Sequence, residues 1–104
     1  MMIQRQTRQG DVLVHPTKIP ASAKPMSITT RIVLAEGEAT GHAHAIEASP
    51  AVEPLEADGV LYLRVRKTIE LTHEEHGTAA IEPGEYMVRR QTEQWMDEAR
   101  EVAD

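Results

Sequence analysis

The chain of 104 residues has no cysteine and no phenylalanine, and its aromatic side chains are two tyrosines and one tryptophan. Without cysteine, neither a disulfide framework nor a thiolate zinc site can form, so any metal ion must be held by nitrogen and oxygen ligands. Isoleucine, leucine and valine together number 21. A core this thin is commonly supplemented by a bound metal ion or by oligomerisation, and we expect a homo-oligomer.

Long apolar runs are also missing. No segment approaches the roughly 18 apolar residues that a membrane span needs, and the N-terminus has no apolar signal segment. The sequence also lacks a glycine-rich phosphate loop and the nucleophile elbow of serine hydrolases. We therefore expect one cytoplasmic domain spanning residues 1–104, with no membrane contact.

Charge is distributed unevenly along the chain, whose formal net charge is −6. Residues 1–31 carry five basic side chains and one acidic side chain, whereas residues 32–58 carry six carboxylates and no lysine or arginine. This pattern favours cations or basic partners. Because aromatic side chains that could stack on bases are also scarce, we do not expect nucleic-acid binding.

Alternation of apolar and polar residues predicts about seven short strands. The clearest run is Val60–Val65, which follows a turn at Ala57-Asp58-Gly59. Residues 27–35 are predicted to form a strand whose even-numbered side chains face inward. Residues 79–81 and 86–90 are predicted to pair as a hairpin around a Pro-Gly turn. Further expectations are a short strand from Val12 that ends at His15 and a loop over residues 49–54.

The C-terminal segment differs from the rest of the chain. Trp95, Met96, Ala99 and Val102 follow helical spacing, which predicts a short amphipathic helix over residues 92–104. The predicted fold is therefore a small β-barrel or sandwich formed by residues 1–91, followed by this helix.

Four of the five histidines form two close pairs, His42-Ala43-His44 and His73-Glu74-Glu75-His76. The alanine content of residues 39–48 favours a helix, whereas Gly41 and the two-residue period of His42, His44 and Ile46 favour a strand. In a strand, two histidines separated by one residue point to the same side. In a helix they would lie about 200° apart and could not share a ligand.

On the strand interpretation, the histidines predict a site for a divalent metal ion such as Zn, Fe, Mn or Ni. His42 and His44 would be ligands together with His73, His76 or both. Glu47 or Glu75 would supply a further ligand or carry a proton. A small-molecule substrate would then bind at the open coordination position. His15 is isolated, and we expect it to be structural.

The segment Gly37 to Glu47 resembles the first motif of the cupin family, in which His-x-His lies between a glycine and a glutamate. Here four residues separate Gly37 from His42, and two separate His44 from Glu47, so both spacings are shorter than in the motif. The histidine of the second cupin motif has no counterpart, and His73 or His76 would have to replace it. The resemblance implies a cupin-like barrel that holds a metal ion.

The chain is also similar to small bacterial and phage proteins that share three short motifs. Here these motifs are Gln9-Gly10-Asp11-Val12, Thr40 to His44 and Thr72 to His76. A second hypothesis keeps the same fold without catalysis: a binding or assembly module, in a phage or mobile-element setting, whose histidines are structural or hold a stabilising metal ion. A third hypothesis is an oligomeric scaffold without metal that docks through the Trp95 helix.

Overall fold

The computed structural model describes residues 6–10, 12–36, 43–73 and 77–90. These residues form a mainly β structure of ten strands. The strands are β1 (Thr7–Gln9), β2 (Val12–Pro16), β3 (Lys24–Pro25), β4 (Arg31–Glu36), β5 (Ala43–Glu47), β6 (Val52–Ala57), β7 (Val60–Val65), β8 (Ile69–Leu71), β9 (Ala79–Ile81) and β10 (Gly84–Arg90). None of the described residues forms a helix that could cross a membrane. The predicted helix over residues 92–104 lies outside the described residues.

Six strands form one antiparallel sheet in the order β1-β2-β10-β7-β6-β3. Strands β6 and β7 are joined by the two residues Asp58 and Gly59, whose φ angles are 52° and 77°. Positive φ at both positions is the geometry of a type I′ turn, for which Asp-Gly is a preferred pair. The predicted turn and the predicted strand Val60–Val65 are both confirmed.

The loop predicted over residues 49–54 is wrong in its second half, because β6 begins at Val52 and contains Pro54. Pro54 pairs with Leu63, three pairs beyond the Ala57–Val60 pair that flanks the turn. Pairs in an antiparallel hairpin alternate between hydrogen-bonded and non-hydrogen-bonded, and the Pro54 pair falls on the non-hydrogen-bonded type. The proline therefore removes no hydrogen bond between β6 and β7.

The hairpin predicted between residues 79–81 and 86–90 is also wrong. Strand β9 pairs with β8, whereas β10 lies between β2 and β7 in the large sheet. In that position Tyr86 pairs with Leu63 and is fully buried in the core. The turn residues indicate correctly that the chain changes direction, but burial of Tyr86 decides which strands β10 joins.

Strands β4 and β5 pair in a second ladder, which contains an irregularity between Val33 and Ala35. Ile32 faces inward and is 1% exposed, as the even-numbered pattern predicts. Beyond the bulge, Ala35 takes the buried position, because an extra residue in one strand exchanges its two faces. The predicted face is therefore correct only for the first half of β4.

Strand β5 confirms the strand interpretation for residues 43–47. Two backbone hydrogen bonds link Ala45 with Thr72, just beyond the end of β8, at 2.8 and 3.0 Å. Strands β8 and β9 form a third ladder. In it, the Ala80 carbonyl of β9 accepts a hydrogen bond from the Thr7 hydroxyl of β1 at 3.0 Å. The small ladders therefore contact each other and the large sheet. The fully buried side chains between them are Val12, Val14, Ile32, Ile46, Leu63, Leu71, Ile81 and Tyr86.

Candidate metal centre

The bridge between Ala45 and Thr72 brings two of the predicted ligands together. Residues that pair directly across an antiparallel ladder have side chains on the same face. Antiparallel register beside the Ala45–Thr72 pair places His44 opposite His73. Their rings lie side by side, with centroids 4.3 Å apart and planes tilted by 39°. The imidazole of β5 thus meets a second imidazole two residues beyond the end of β8.

His44 is buried, with 2% of its surface exposed, and Gln9 of β1 fixes its ring. Nδ1 of His44 lies 2.9 Å from Oε1 of Gln9. Nε2 of the same Gln9 amide donates to the carbonyl oxygens of Leu71 at 2.8 Å and Gly77 at 2.9 Å. Gln9 is itself 3% exposed. One buried amide therefore connects β1, β5 and both ends of the segment that carries His73.

These contacts determine the tautomer of His44. Only the NH₂ group of Gln9 can donate to two carbonyls, so its oxygen must face His44. A carbonyl oxygen only accepts, and Nδ1 of His44 must therefore carry the hydrogen. In the neutral ring the lone pair is then on Nε2. Metal-binding histidines commonly donate their other ring N–H to such an acceptor, which orients the ring and raises its basicity.

A cavity of about 270 Å³ adjoins His73. Its described lining residues are Arg31, Ala43, Thr72 and His73. The Thr72 hydroxyl donates to the Ala45 carbonyl at 3.2 Å, which engages its proton. The cavity therefore presents one guanidinium, one imidazole and a hydroxyl oxygen around an alanine.

The remaining predicted site residues fall in different places. Glu47 is the exposed last residue of β5, three positions from His44 and therefore on the opposite face. His15 lies exposed on β2, with Nδ1 2.9 Å from Oε1 of Gln6. The predicted ligands His42 and His76 and the predicted proton carrier Glu75 lie outside the described residues. The structure thus brings His44 and His73 together and leaves Glu47 and His15 apart from them.

Within the described ranges, no group of three or more histidine, aspartate or glutamate side chains comes together in a way that could hold a metal ion. A complete coordination shell would need ligands from the neighbouring segments 37–42 and 74–76. Those segments contain His42, Glu74, Glu75 and His76.

Gln9 is the site residue that analysis of the residue pattern missed. Glutamine is usually exposed, and nothing in its immediate neighbours marks it as buried. The one signal was its place at the start of the Gln-Gly-Asp-Val motif shared with the small bacterial and phage proteins. Its partners lie 35, 62 and 68 positions away, so only the folded chain reveals its role.

Fold and site together define a small antiparallel β protein with a histidine pair, in which His44 is buried and oriented by the Gln9 amide. Residues 8–91 match the DUF8820 domain, described as a domain of unknown function. The match spans most of the chain, which therefore belongs to the DUF8820 family. No curated protein and no solved structure matches the chain.

Proposed function

We propose that this protein binds a divalent metal ion through Nε2 of His44 and the imidazole of His73. The observation that carries the proposal is the buried Gln9 amide, which forces the hydrogen onto Nδ1 of His44 and the lone pair onto Nε2. A second imidazole 4.3 Å away, ring centre to ring centre, is close enough to share a ligand after a small rotation. A shared cation would accept a nitrogen lone pair from each of the two rings.

Further ligands would come from His42, which precedes β5 by one residue, and from His76. Imidazole donors suit Zn, Fe and Ni, and an added carboxylate would suit Mn or non-haem Fe. Of the two carboxylates named by the sequence, Glu75 is the better ligand or proton carrier, because Glu47 lies on the other face of β5. When bound, the ion would supply Lewis-acid chemistry toward water, oxygen or a substrate carbonyl.

Metal analysis of untagged protein, together with thermal melting in chelator and in added Zn, Mn, Fe or Ni, tests the proposal. We expect one ion per chain and a higher melting temperature with the preferred metal. His44→Ala should lose both effects, whereas the control His15→Ala should keep them, because His15 is exposed on β2 and its ring contacts Gln6. Equal effects of the two variants, or a melting temperature that no metal changes, would contradict metal binding.

A non-catalytic binding or assembly module is the alternative, and one observation favours it. His44 is buried, and its Nδ1 is hydrogen-bonded to Gln9, which is how a purely structural histidine is accommodated in a core. In that case His44→Ala should lower the melting temperature by the same amount in chelator and in metal. The metal proposal instead requires a larger loss when metal is present.

The arrangement of the strands supports a further proposal on the fold. A backbone bridge links β5 to the residue after β8, and a side-chain hydrogen bond links β1 to β9. We propose that the chain closes as a small cupin-like barrel or sandwich, with a C-terminal helix, in a cytoplasmic homo-oligomer. Analytical ultracentrifugation of the full chain and of a chain ending at residue 91 tests the oligomer and the role of Trp95 in it.

A further inference from the structure

The cavity that His73 lines also contains a charged side chain, Arg31, to which the metal proposal assigns no role. Arg31 begins β4 and lines the cavity together with His73. Its cross-strand neighbour is Glu47, which shares its face of the sheet. Yet in the described part of the chain the ion pairs that form involve Arg64 and Arg66, and none involves Arg31.

Arg31 is exposed, and a surface ion pair with Glu47 across the two strands would add little stability. Its guanidinium is therefore available to another anion. Arg31 borders a concave space, where a guanidinium offers a planar fork of donors to an anion. The cation is therefore placed to bind a group that enters the cavity.

The size and lining of the cavity restrict the ligand. Pockets for drug-sized molecules are roughly 300–1,000 Å³, and this cavity, at about 270 Å³, suits a smaller molecule. Ala43, which is 5% exposed, is the small apolar residue of this lining. A compact anion with a short carbon skeleton fits such a space.

We propose that this cavity binds a small organic carboxylate, whose anionic group pairs with the Arg31 guanidinium while the rest of the molecule lies toward His73. The inference rests on the proposed metal site in that His73 is common to both, whereas the carboxylate itself is held by Arg31, on the face of β4 and β5 that carries Glu47. It names the class of substrate or effector that the site would accept.

Titration of the protein with succinate, followed by amide NMR shifts, tests the inference in metal-free and zinc-loaded samples. Succinamide serves as the uncharged probe and inorganic phosphate as the competing anion. We expect succinate to bind, succinamide not to bind, and Arg31→Gln to raise the Kd for succinate about tenfold, the effect of losing one charge-assisted pair. Arg31→Lys should be intermediate, since it keeps the charge without the fork.

Arg89→Gln is the matched control, because Arg89 is an exposed strand arginine of the large sheet outside the cavity lining. Two results would overturn the inference. One is equal weakening of succinate binding by the Arg31 and Arg89 variants, and the other is no detectable binding at succinate concentrations up to about 50 mM. Tighter, Arg31-dependent binding of phosphate would overturn the carboxylate assignment.

The two proposals fail in distinguishable ways. If zinc does not bind but the metal-free protein binds succinate through Arg31, the metal site is wrong and the carboxylate site stands. If zinc binds and Arg31→Gln leaves succinate binding unchanged, the metal site stands and the carboxylate site is wrong. Zinc content of Arg31→Gln should equal that of the unmodified chain.

Discussion

Replacement of Gln9 by methionine is the sharpest test of the site, because it removes the amide while nearly keeping the volume of the side chain. The variant loses all three contacts of Gln9, two of them fully buried. The Leu71 carbonyl and the His44 Nδ1 hydrogen would be left in the core without their partner. Each buried polar group stranded in this way costs about 1–3 kcal/mol.

Burial of the methionine side chain offsets part of this cost, by about 1 kcal/mol. We therefore expect Gln9→Met to lower the free energy of unfolding by about 3 kcal/mol, a large share of the total for a domain of this size. The melting temperature should fall on the order of 10–20 °C. Far-UV circular dichroism during thermal and urea unfolding measures both quantities.

The chain contains its own control, a second glutamine whose oxygen lies 2.9 Å from a histidine Nδ1. This pair, Gln6 and His15, is exposed. Water replaces a lost partner at the surface, so Gln6→Met should change the unfolding free energy by no more than about 0.5 kcal/mol. Equal effects of the two substitutions would refute the claim that Gln9 organises the site. Metal affinity gives a second readout, with a drop of about 10–100-fold expected for Gln9→Met alone.

Two further predictions concern the scaffold. Burial raises the pKa of the Tyr86 phenol above its ordinary value near 10, and the Glu82 carboxylate raises it further. The folded state therefore favours the neutral phenol. This contribution to stability is fully present below the ordinary pKa of 10.0, and it is lost as pH rises through the raised folded-state pKa. Urea unfolding from pH 8 to 11 should show a smaller alkaline loss in Tyr86→Phe than in Tyr62→Phe, and equal losses would contradict the assignment. Gly59→Ala should cost about 1 kcal/mol, because φ is +77° while a Cβ would meet nothing within 4 Å. A Cβ at Gly77 would also meet nothing within 4 Å, so Gly77→Ala should leave the melting temperature unchanged. If Gly77→Ala costs as much as Gly59→Ala, backbone strain at Gly59 is not the cause.

Local patterns predicted several elements correctly. Asp58-Gly59 and the apolar run after it define a hairpin that depends only on neighbouring residues. The two-residue period of His44 and Ile46 indicated the strand β5 despite its alanines. Both predictions succeed because turn geometry and alternation are properties of a few consecutive residues.

Predictions of pairing fared worse, for the same reason. The turn around Pro83-Gly84 is evident from the sequence, yet β10 joins β2 and β7 and not β9. Pro54 looked like a loop residue, yet it occupies a position in β6 that needs no donor toward β7. The choice of partner depends on which contacts bury Tyr86 and Leu63, and those contacts are distant in sequence.

For the candidate site, the sequence by itself determined which chemistry is available, imidazoles and carboxylates without thiols, and that side chains alternate between the two faces of β5. Only the tertiary structure decided that His44 meets His73 just beyond the end of β8, that Glu47 lies on the other face, and that Gln9 fixes the tautomer of His44. Alternation is local, so a sequence displays it. The register of β5 against β8 and the burial of one amide are set by the packing of the whole chain.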